Sequence, residues 1–451
     1  VIGTGPGTSE SFFGGDLWGV IEHLDHLKKL GVTMLYLTPF FPAGSNHRYD
    51  SANFDTVDPL LGGDAAMKSL VTKAHDLGLK VMGDLTANHS GDKHEWFLAA
   101  FGNPKASESE FYYFQDGNTK YDSWWGVPSL PKLNWASAEL RRRFIEGKDS
   151  VVAKWLKAPF KLDGWRIDVA NMTGWIREDD YNREVAQTIR KTMNEVSEDT
   201  FLIGEFTSDA AELVEGDSYQ STMTYANFTR PTWRWLADTK QTREENQLGP
   251  GRRGISASQF VELHQRFAGT FPWQLRMHNL NALDTHDTGR FKTFALEGAQ
   301  QVAAGLQFTF PGIPMIFAGD EFGLDGYNGE SSRTPIPWDG ERASDTSMIE
   351  VYAKLAKIRK ANKALVDGSL RFLYSSDEAM VFVRENQTES ILVIASRGKD
   401  RHIEFPKDAL SGPEQAKNIY GGGSLRIAGS KIRFEAGKLD FQIWRLPSAH
   451  R

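Results

Sequence analysis

Apolar residues recur along the first 360 positions in two alternating rhythms. Leu17, Val20, Ile21, Leu24, Leu27 and Leu30 are spaced three and four apart, the period of a helix with one buried face, and Gly31 punctuates its end. The run Val32 to Thr38 then reads as a buried strand. A second helix carries Met67, Leu70, Val71, Ala74 and Leu77, stops at Gly78, and gives way to a strand at 79–84. Further strands are predicted at 162–168, 201–206, 222–227, 278–285 and 313–318. Strands alternating with helices imply a parallel α/β sheet, and this many units predict a (β/α)8 TIM barrel.

Seven strands are counted, one fewer than a closed barrel needs. The missing one should precede the helix at 17–30, where residues 1–11 read instead as a loop rich in Gly, Thr and Ser. The expectation is that the first strand is lacking here, by truncation or omission of upstream residues. Gly3, Gly5 and Gly7 follow no strand, so they predict a flexible loop and not a phosphate cradle. Residues 89–150 separate two strands by too much for a simple connection, and are rich in Trp, Tyr, Phe and Gly. After a last amphipathic helix (Ile349, Tyr352, Leu355, Ile358) short β runs follow at 380–383, 391–394 and 439–444, separated by Gly-rich turns. The domain reading is a barrel over 1–365, an excursion over 89–150 within it after the third strand, and an antiparallel C-terminal β-sandwich over 366–451.

Composition narrows the function without naming it. No apolar stretch approaches the ~20 residues of a membrane span, and a net charge of −7 on 451 residues argues against a nucleic-acid partner. The chain has no cysteine, which rules out disulfides, thiol catalysis and thiolate metal sites. No secretory signal is visible at Val1; the cytoplasm is the expected compartment, with secretion left open. The 13 Trp add a mild leaning toward a carbohydrate ligand, because indole faces stack on sugar rings.

Three segments each end an apolar run with an acid: Gly164 to Asp168, Leu202 to Glu205, and Leu283 to Asp287. Asp84 ends another. Acids at the C-terminal ends of barrel strands are where an active site is built, and are costly there unless paired or used. A retaining glycosidase needs two carboxyl groups ~5–5.5 Å apart, one a nucleophile and one a proton donor, and neighbouring strand ends supply such spacing. Arg166, two residues before Asp168 and so on the same strand face, would hold Asp168 ionised. Glu205 would be kept protonated by the negative charges of Asp168 and Asp287, and Asp287 would stabilise an oxocarbenium-like transition state. Uncharged His89 and His286 can donate hydrogen bonds to sugar hydroxyls.

These residues resemble the motifs of the α-amylase family of glycoside hydrolases (family 13), and the likeness runs through essentially the whole chain. Asp84 to His89 resembles the first motif, with Asn88 and His89 at matching positions. The segment ending at Asp168 resembles the second, which implies Asp168 as nucleophile with Arg166 as its partner. Gly204-Glu205 resembles the third, implying Glu205 as acid/base. His286-Asp287 resembles the fourth, implying Asp287 as transition-state stabiliser and His286 as a sugar ligand. His47 to Asp50 resembles the segment whose tyrosine, here Tyr49, stacks on that sugar. Leu130-Pro131-Lys132-Leu133-Asn134 and Asp168-Val169-Ala170-Asn171 are similar to motifs of the neopullulanase, cyclomaltodextrinase and maltogenic amylase branch. That branch cleaves α-1,4 and often α-1,6 bonds in small, cyclic or branched maltooligosaccharides.

Three departures bear on specificity. Met172 stands where that branch usually has Glu, and Thr207 where it usually has Trp. Arg333 to Asp339 is closer to exo-acting α-glucosidases. The expected substrate is therefore a small α-glucan oligosaccharide, with a cyclic maltosyl-maltose or a cyclomaltodextrin in view. Candidate substrate contacts are His47, Tyr49, Asp84, Asn88, His89, Arg166, Asn171, Met172, Thr207, His286 and Arg290. The chemistry requires no cofactor. The resemblance implies that Gly15 and Asp16 could contribute to a structural calcium site, although Asp16 equally suits a cap on the helix that starts at Leu17. A homo-oligomer is open. Asn-x-Thr/Ser occurs at Asn88, Asn171, Asn227 and Asn386, two of them inside the proposed site, and is read as chance. The alternatives are an exo-acting α-glucosidase, a transglycosylase or isomerase using the same covalent intermediate, and a non-catalytic glucan-binding protein, which would be expected to have lost its carboxylates.

Overall fold

The computed structural model describes residues 8–207, 209–238, 254–340 and 344–447. Gly3, Gly5 and Gly7 lie outside them. The chain divides into two compact units, Val1–Phe206 with Ala210–Thr222, and Thr207–Asp209 with Met223–Arg451.

In the first unit the expected helix at 17–30 is two helices, Leu17–Glu22 and Leu24–Leu30. They part at His23, whose φ of −107° and ψ of 13° leave the helical region. Gly31 ends the second at φ 95°, the left-handed conformation that a residue without Cβ adopts freely. Five parallel strands follow in the order β1 (Met34–Tyr36), β2 (Lys80–Leu85), β3 (Gly164–Ile167), β4 (Phe201–Gly204) and β5 (Ser221–Thr222). Each pairs with the next in sequence order, the arrangement of a curling half-barrel, and crossover helices such as Gly63–Asp76 and Asn182–Val196 connect them. Strands β3 and β4 are buried almost along their whole length, as strands covered on both faces must be.

The stretch between β2 and β3 has little regular structure. A two-residue hairpin pairs 114–115 with 120–121, and Phe97 gathers Phe101, Tyr112, Phe114 and Tyr121 around itself. Residues 131–133 then run back antiparallel to 88–91, with Ser90 N–H donating to Pro131 O (3.2 Å) and Leu133 N–H to Asn88 O (3.2 Å).

The second unit supplies two further parallel strands, β6 (Leu280–Ala282) and β7 (Ile313–Met315). The strand expected over 222–227 is cut short. From Tyr225 to Thr229 the backbone forms a wide helical turn, and the helix Arg230–Leu236 continues from it with Pro231 in its first turn, where the missing N–H costs nothing. The C-terminal part holds a five-stranded antiparallel sheet of β8 (Ser369–Ser375), β9 (Ala379–Glu385), β10 (Ser390–Ser396), β15 (Asp440–Leu446) and β12 (Lys417–Tyr420), in that order. A three-stranded sheet orders β11 (Asp400–Pro406), β14 (Lys431–Ala436) and β13 (Arg426–Ala428). Val381, Leu392 and Ile394 of the first sheet share a core with Ile403, Phe405, Ile432 and Phe434 of the second, which makes a sandwich. The other face of the larger sheet is covered by two helices, Ala257–Ala268 against β9 and Ala299–Thr309 against β10 and β15, so β9 and β10 are buried on both sides.

Gly164 opens β3 because nothing larger fits: a Cβ there would lie 2.2 Å from Phe201 O of the paired strand. Gly164→Ala should therefore wedge β3 from β4 and cost about 1–3 kcal/mol, as overpacking does. Urea unfolding would register the loss as a lower midpoint, and an unshifted midpoint would show that the two strands can part without cost.

Candidate active site

The backbone ladder extends one residue beyond each strand and so fixes where the acids stand. Asp168 N–H donates to Leu85 O (3.0 Å), and Glu205 N–H to Ile167 O (3.0 Å). Alternation along β3 puts Arg166 and Asp168 on one face. Around the Arg166 guanidinium the structure gathers three carboxylates. Its Nη1 lies 2.9 Å from Asp84 Oδ2 and 2.9 Å from Asp168 Oδ1, and its Nη2 lies 2.9 Å from Glu205 Oε2. The Arg166 side chain is 1% exposed. Burial disfavours its charge, but Asp84 and Glu205 outweigh that and raise its pKa well above the ordinary arginine value.

Each acid is placed differently. Asp84 is fully buried, and its Oδ2 also accepts from the hydroxyls of Tyr36 (2.8 Å) and Tyr49 (2.8 Å). It is thus a framework acid that holds Arg166 and Tyr49, where the sequence suggested a direct substrate contact. Burial raises the pKa of both tyrosines, which keeps them neutral donors. Glu205 Oε2 accepts a second bond, from Val169 N–H (3.0 Å). Val169 has φ 45°, a strained conformation for a β-branched residue, and the strain sits where the chain turns that N–H toward Glu205. Arg166 reaches Asp168, as its place on the strand suggested, and its guanidinium contacts Glu205 as well. Two donors on Glu205 Oε2 make Oε1 the oxygen suited to carry a proton.

The other sugar-binding candidates of this unit are in ordered contacts. His47 stacks on Tyr49 at 5.8 Å, and its Nδ1 meets Ser45 Oγ (3.0 Å) and Tyr49 N–H (3.1 Å). Asn88 Nδ2 is 3.0 Å from His89 Nδ1, and the His89 ring stacks on Trp124 at 5.9 Å. Burial pushes the His89 pKa down to about 3, helped by the nearby charge of Lys132 and opposed by the Tyr49 carbonyl. Asn171 and Met172 are half-buried in the turn after β3, where Met172 N–H donates to Val169 O (3.0 Å). Tyr36, Lys132 and Val169 were not singled out from the sequence as functional. The hydroxyl of Tyr36 at a strand end was a readable signal, whereas Lys132 and Val169 depend on backbone geometry.

The second unit carries Thr207, which is half-buried, and the turn after β6. Thr285 and Thr288 lock that turn through Thr285 N–H to Thr288 Oγ1 (3.0 Å) and Asp287 N–H to Thr285 Oγ1 (3.2 Å). His286 Nε2 lies 3.2 Å from Asp287 Oδ2, and the Asp287 side chain is 39% exposed. Arg290 departs from its expected role as a substrate contact. Its buried guanidinium donates to Asp320 Oδ1 (2.8 Å), Ala318 O (2.7 Å) and Ser332 O (2.8 Å), and it lies on the Phe317 ring at 3.8 Å. It secures the segment from 317 to 332.

Of the two readings of Asp16, the structure shows the helix cap. Asp16 Oδ1 accepts from Gly19 N–H (2.8 Å) as the N-cap of the helix at 17–22. Among the described residues no group of three or more His, Asp or Glu side chains is disposed to hold a metal ion. Among them, too, no helix is long and apolar enough to cross a membrane.

The family model for the alpha amylase catalytic domain matches residues 3–346. A cyclomaltodextrinase of Geobacillus thermopakistaniensis is 32% identical over 414 residues, which are 89% of this chain and 66% of that protein, so the chain spans about two thirds of its length. The solved structure of a debranching enzyme from Nostoc punctiforme superposes with a TM-score of 0.86 at 26% identity, covering 97% of this chain and 90% of that one. A cyclic alpha-maltosyl-(1→6)-maltose hydrolase from Arthrobacter globiformis follows at 0.82 and 25%, covering 99% and 92%. With its strand-end acids and this match over most of its length, the chain belongs to the α-amylase family of glycoside hydrolases, built on the (β/α)8 barrel with a C-terminal antiparallel β domain.

Proposed function

We propose that this protein is a retaining glycoside hydrolase that cleaves α-1,4 or α-1,6 glucosidic bonds in small, cyclic or branched maltooligosaccharides. The observation that carries the reading is the Arg166 guanidinium, which holds Asp168 Oδ1 on one amino group and Glu205 Oε2 on the other at 2.9 Å each. Two carboxyl groups oriented side by side are what a double displacement requires.

In the first step the Asp168 carboxylate attacks the anomeric carbon while Glu205, through Oε1, gives its proton to the departing glycosidic oxygen. The C1–O bond breaks and a glycosyl–Asp168 ester forms. Glu205, now ionised, then takes a proton from water. That water attacks C1, the ester bond breaks, and Asp168 is restored with the configuration at C1 retained. The assignment of Asp287 to charge stabilisation, and of His286 and Tyr49 to the sugar in the cleavage subsite, rests on their motifs. Asn171, Met172 and Thr207 are assigned to the acceptor side on the same ground. The names of the relatives, a cyclomaltodextrinase and a cyclic maltosyl-maltose hydrolase, support a compact cyclic or branched substrate.

Glu205→Gln should lower turnover by about 10²–10⁴-fold, the share of general acid catalysis, with an unchanged far-ultraviolet circular dichroism spectrum. Near-normal turnover in that variant would remove Glu205 from its role. Freshly released product should be the α anomer by proton NMR, and β product appearing first would mean inversion. Across panose, pullulan, cyclodextrins, maltotriose, cyclic maltosyl-maltose and soluble starch, at least one small or cyclic substrate should have the highest kcat/KM. Fastest digestion of starch would overturn the substrate assignment.

A further inference from the structure

The strand that returns from the excursion delivers one cation to the site. His89 and Lys132 face each other in the antiparallel bridge between 88–91 and 131–133. Lys132 is 3% exposed, and its Nζ donates to Asn88 Oδ1 and to Met172 O (2.6 Å). Both partners are neutral. The contact therefore works through geometry, and burial lowers the lysine pKa to about 7.

Below that pKa Lys132 is an ammonium, which has only donors, so the atom of Asn88 facing it must be its oxygen. The Asn88 NH2 is then the group turned to His89 Nδ1, 3.0 Å away. An amide N–H can only donate, so Nδ1 accepts, and a neutral imidazole must carry its proton on Nε2. His89 Nε2 is buried and makes no well-aligned hydrogen bond within the protein, the Tyr49 carbonyl being the backbone acceptor near the ring. A buried donor of this kind is costly unless a ligand takes it up.

We propose that Lys132 is a positioning residue: by holding Asn88 Oδ1 it orients the Asn88 amide and fixes His89 as the Nε2–H tautomer, ready to donate to a hydroxyl of the bound glucan. This rests on the hydrolase reading for the identity of the acceptor, but the tautomer itself does not. The same ammonium ties Met172 O, so one residue of the excursion sets both a donor and the turn that carries Met172. Without Lys132 the amide can rotate by half a turn, present its oxygen to Nδ1, and draw the proton there.

The test is the 15N NMR spectrum of the histidine-labelled, ligand-free protein, with His89 assigned by the signal lost in His89→Asn. In the wild type, between pH 5 and 6, where Lys132 is an ammonium, the His89 nitrogens should report an Nε2–H tautomer that does not titrate, because the ring pKa lies at about 3. Lys132→Met should move proton population to Nδ1. Asn88→Asp keeps an oxygen toward Lys132 and places another toward His89, so it should do the same even if Lys132→Met fails to fold. Hydrolysis by Lys132→Met should fall about 10- to 100-fold in kcat/KM, the size of one misplaced hydrogen bond, and Lys132→Met/His89→Ala should be no slower than His89→Ala alone. An unmoved His89 proton in either folded variant, or fully additive losses in the double variant, would overturn the proposal. A wild-type protein that hydrolyses no glucan would overturn the hydrolase reading instead, and the NMR result would still decide the tautomer.

Discussion

One buried guanidinium sets the terms for the rest of the first unit. Arg166 is 1% exposed and touches Asp84, Asp168 and Glu205, so removing it would leave three buried acids without the cation they share. Losing one partner of a buried ion pair typically costs about 3–5 kcal/mol, more than most single contacts. The surroundings follow from that constraint. Tyr36 and Tyr49 complete the coordination of Asp84, Val169 accepts a left-handed backbone to give Glu205 a second donor, and Gly164 lets β3 approach β4 closely enough to seat Arg166. In the proposed mechanism the two acids Asp168 and Glu205 thus owe their orientation to a group that takes no part in bond making.

Much of this was legible in the sequence, for identifiable reasons. Buried parallel strands are continuous apolar runs, and all seven that were expected have a counterpart, although β5 stops early where Tyr225 begins a wide turn. Asp168 and Glu205 stand directly after strands because an acid ending an apolar run has few other places to go. Asp84 was harder. A strand-end acid facing a ligand and one facing an arginine have the same local pattern, and only the positions of Tyr36, Tyr49 and Arg166 separate them. Lys132 and Asn88 are 44 residues apart, and their meeting depends on how the excursion folds back. The break at His23 has no signature in the surrounding residues.

Arginine plays a different part in the second unit, where it ties backbone together. Arg290 donates to Ala318 O and Ser332 O, and Arg384, fully buried in β9, donates to Ser369 O, Thr309 O and Gly368 O. A planar fork of donors can satisfy several carbonyls that no strand or helix reaches, which is why a charged residue persists inside an apolar run. The price is desolvation, which pushes the Arg384 pKa well below its usual value. The same residue type thus serves carboxylate chemistry in one unit and chain folding in the other.

The arithmetic of the Arg166 cluster reaches beyond architecture. Three carboxylates share one guanidinium, so with every group ionised the cluster is two charges short of neutrality, and one short when Glu205 carries its proton. Such a deficit attracts positive charge and repels negative charge at close range, where little solvent intervenes. A sugar acquiring oxocarbenium character supplies the missing charge for the moment it exists. A glucan bearing a phosphate or a uronic acid at the same place would deepen the deficit, so under the proposed function the cluster that orients the acids would also filter substrates by ionic character.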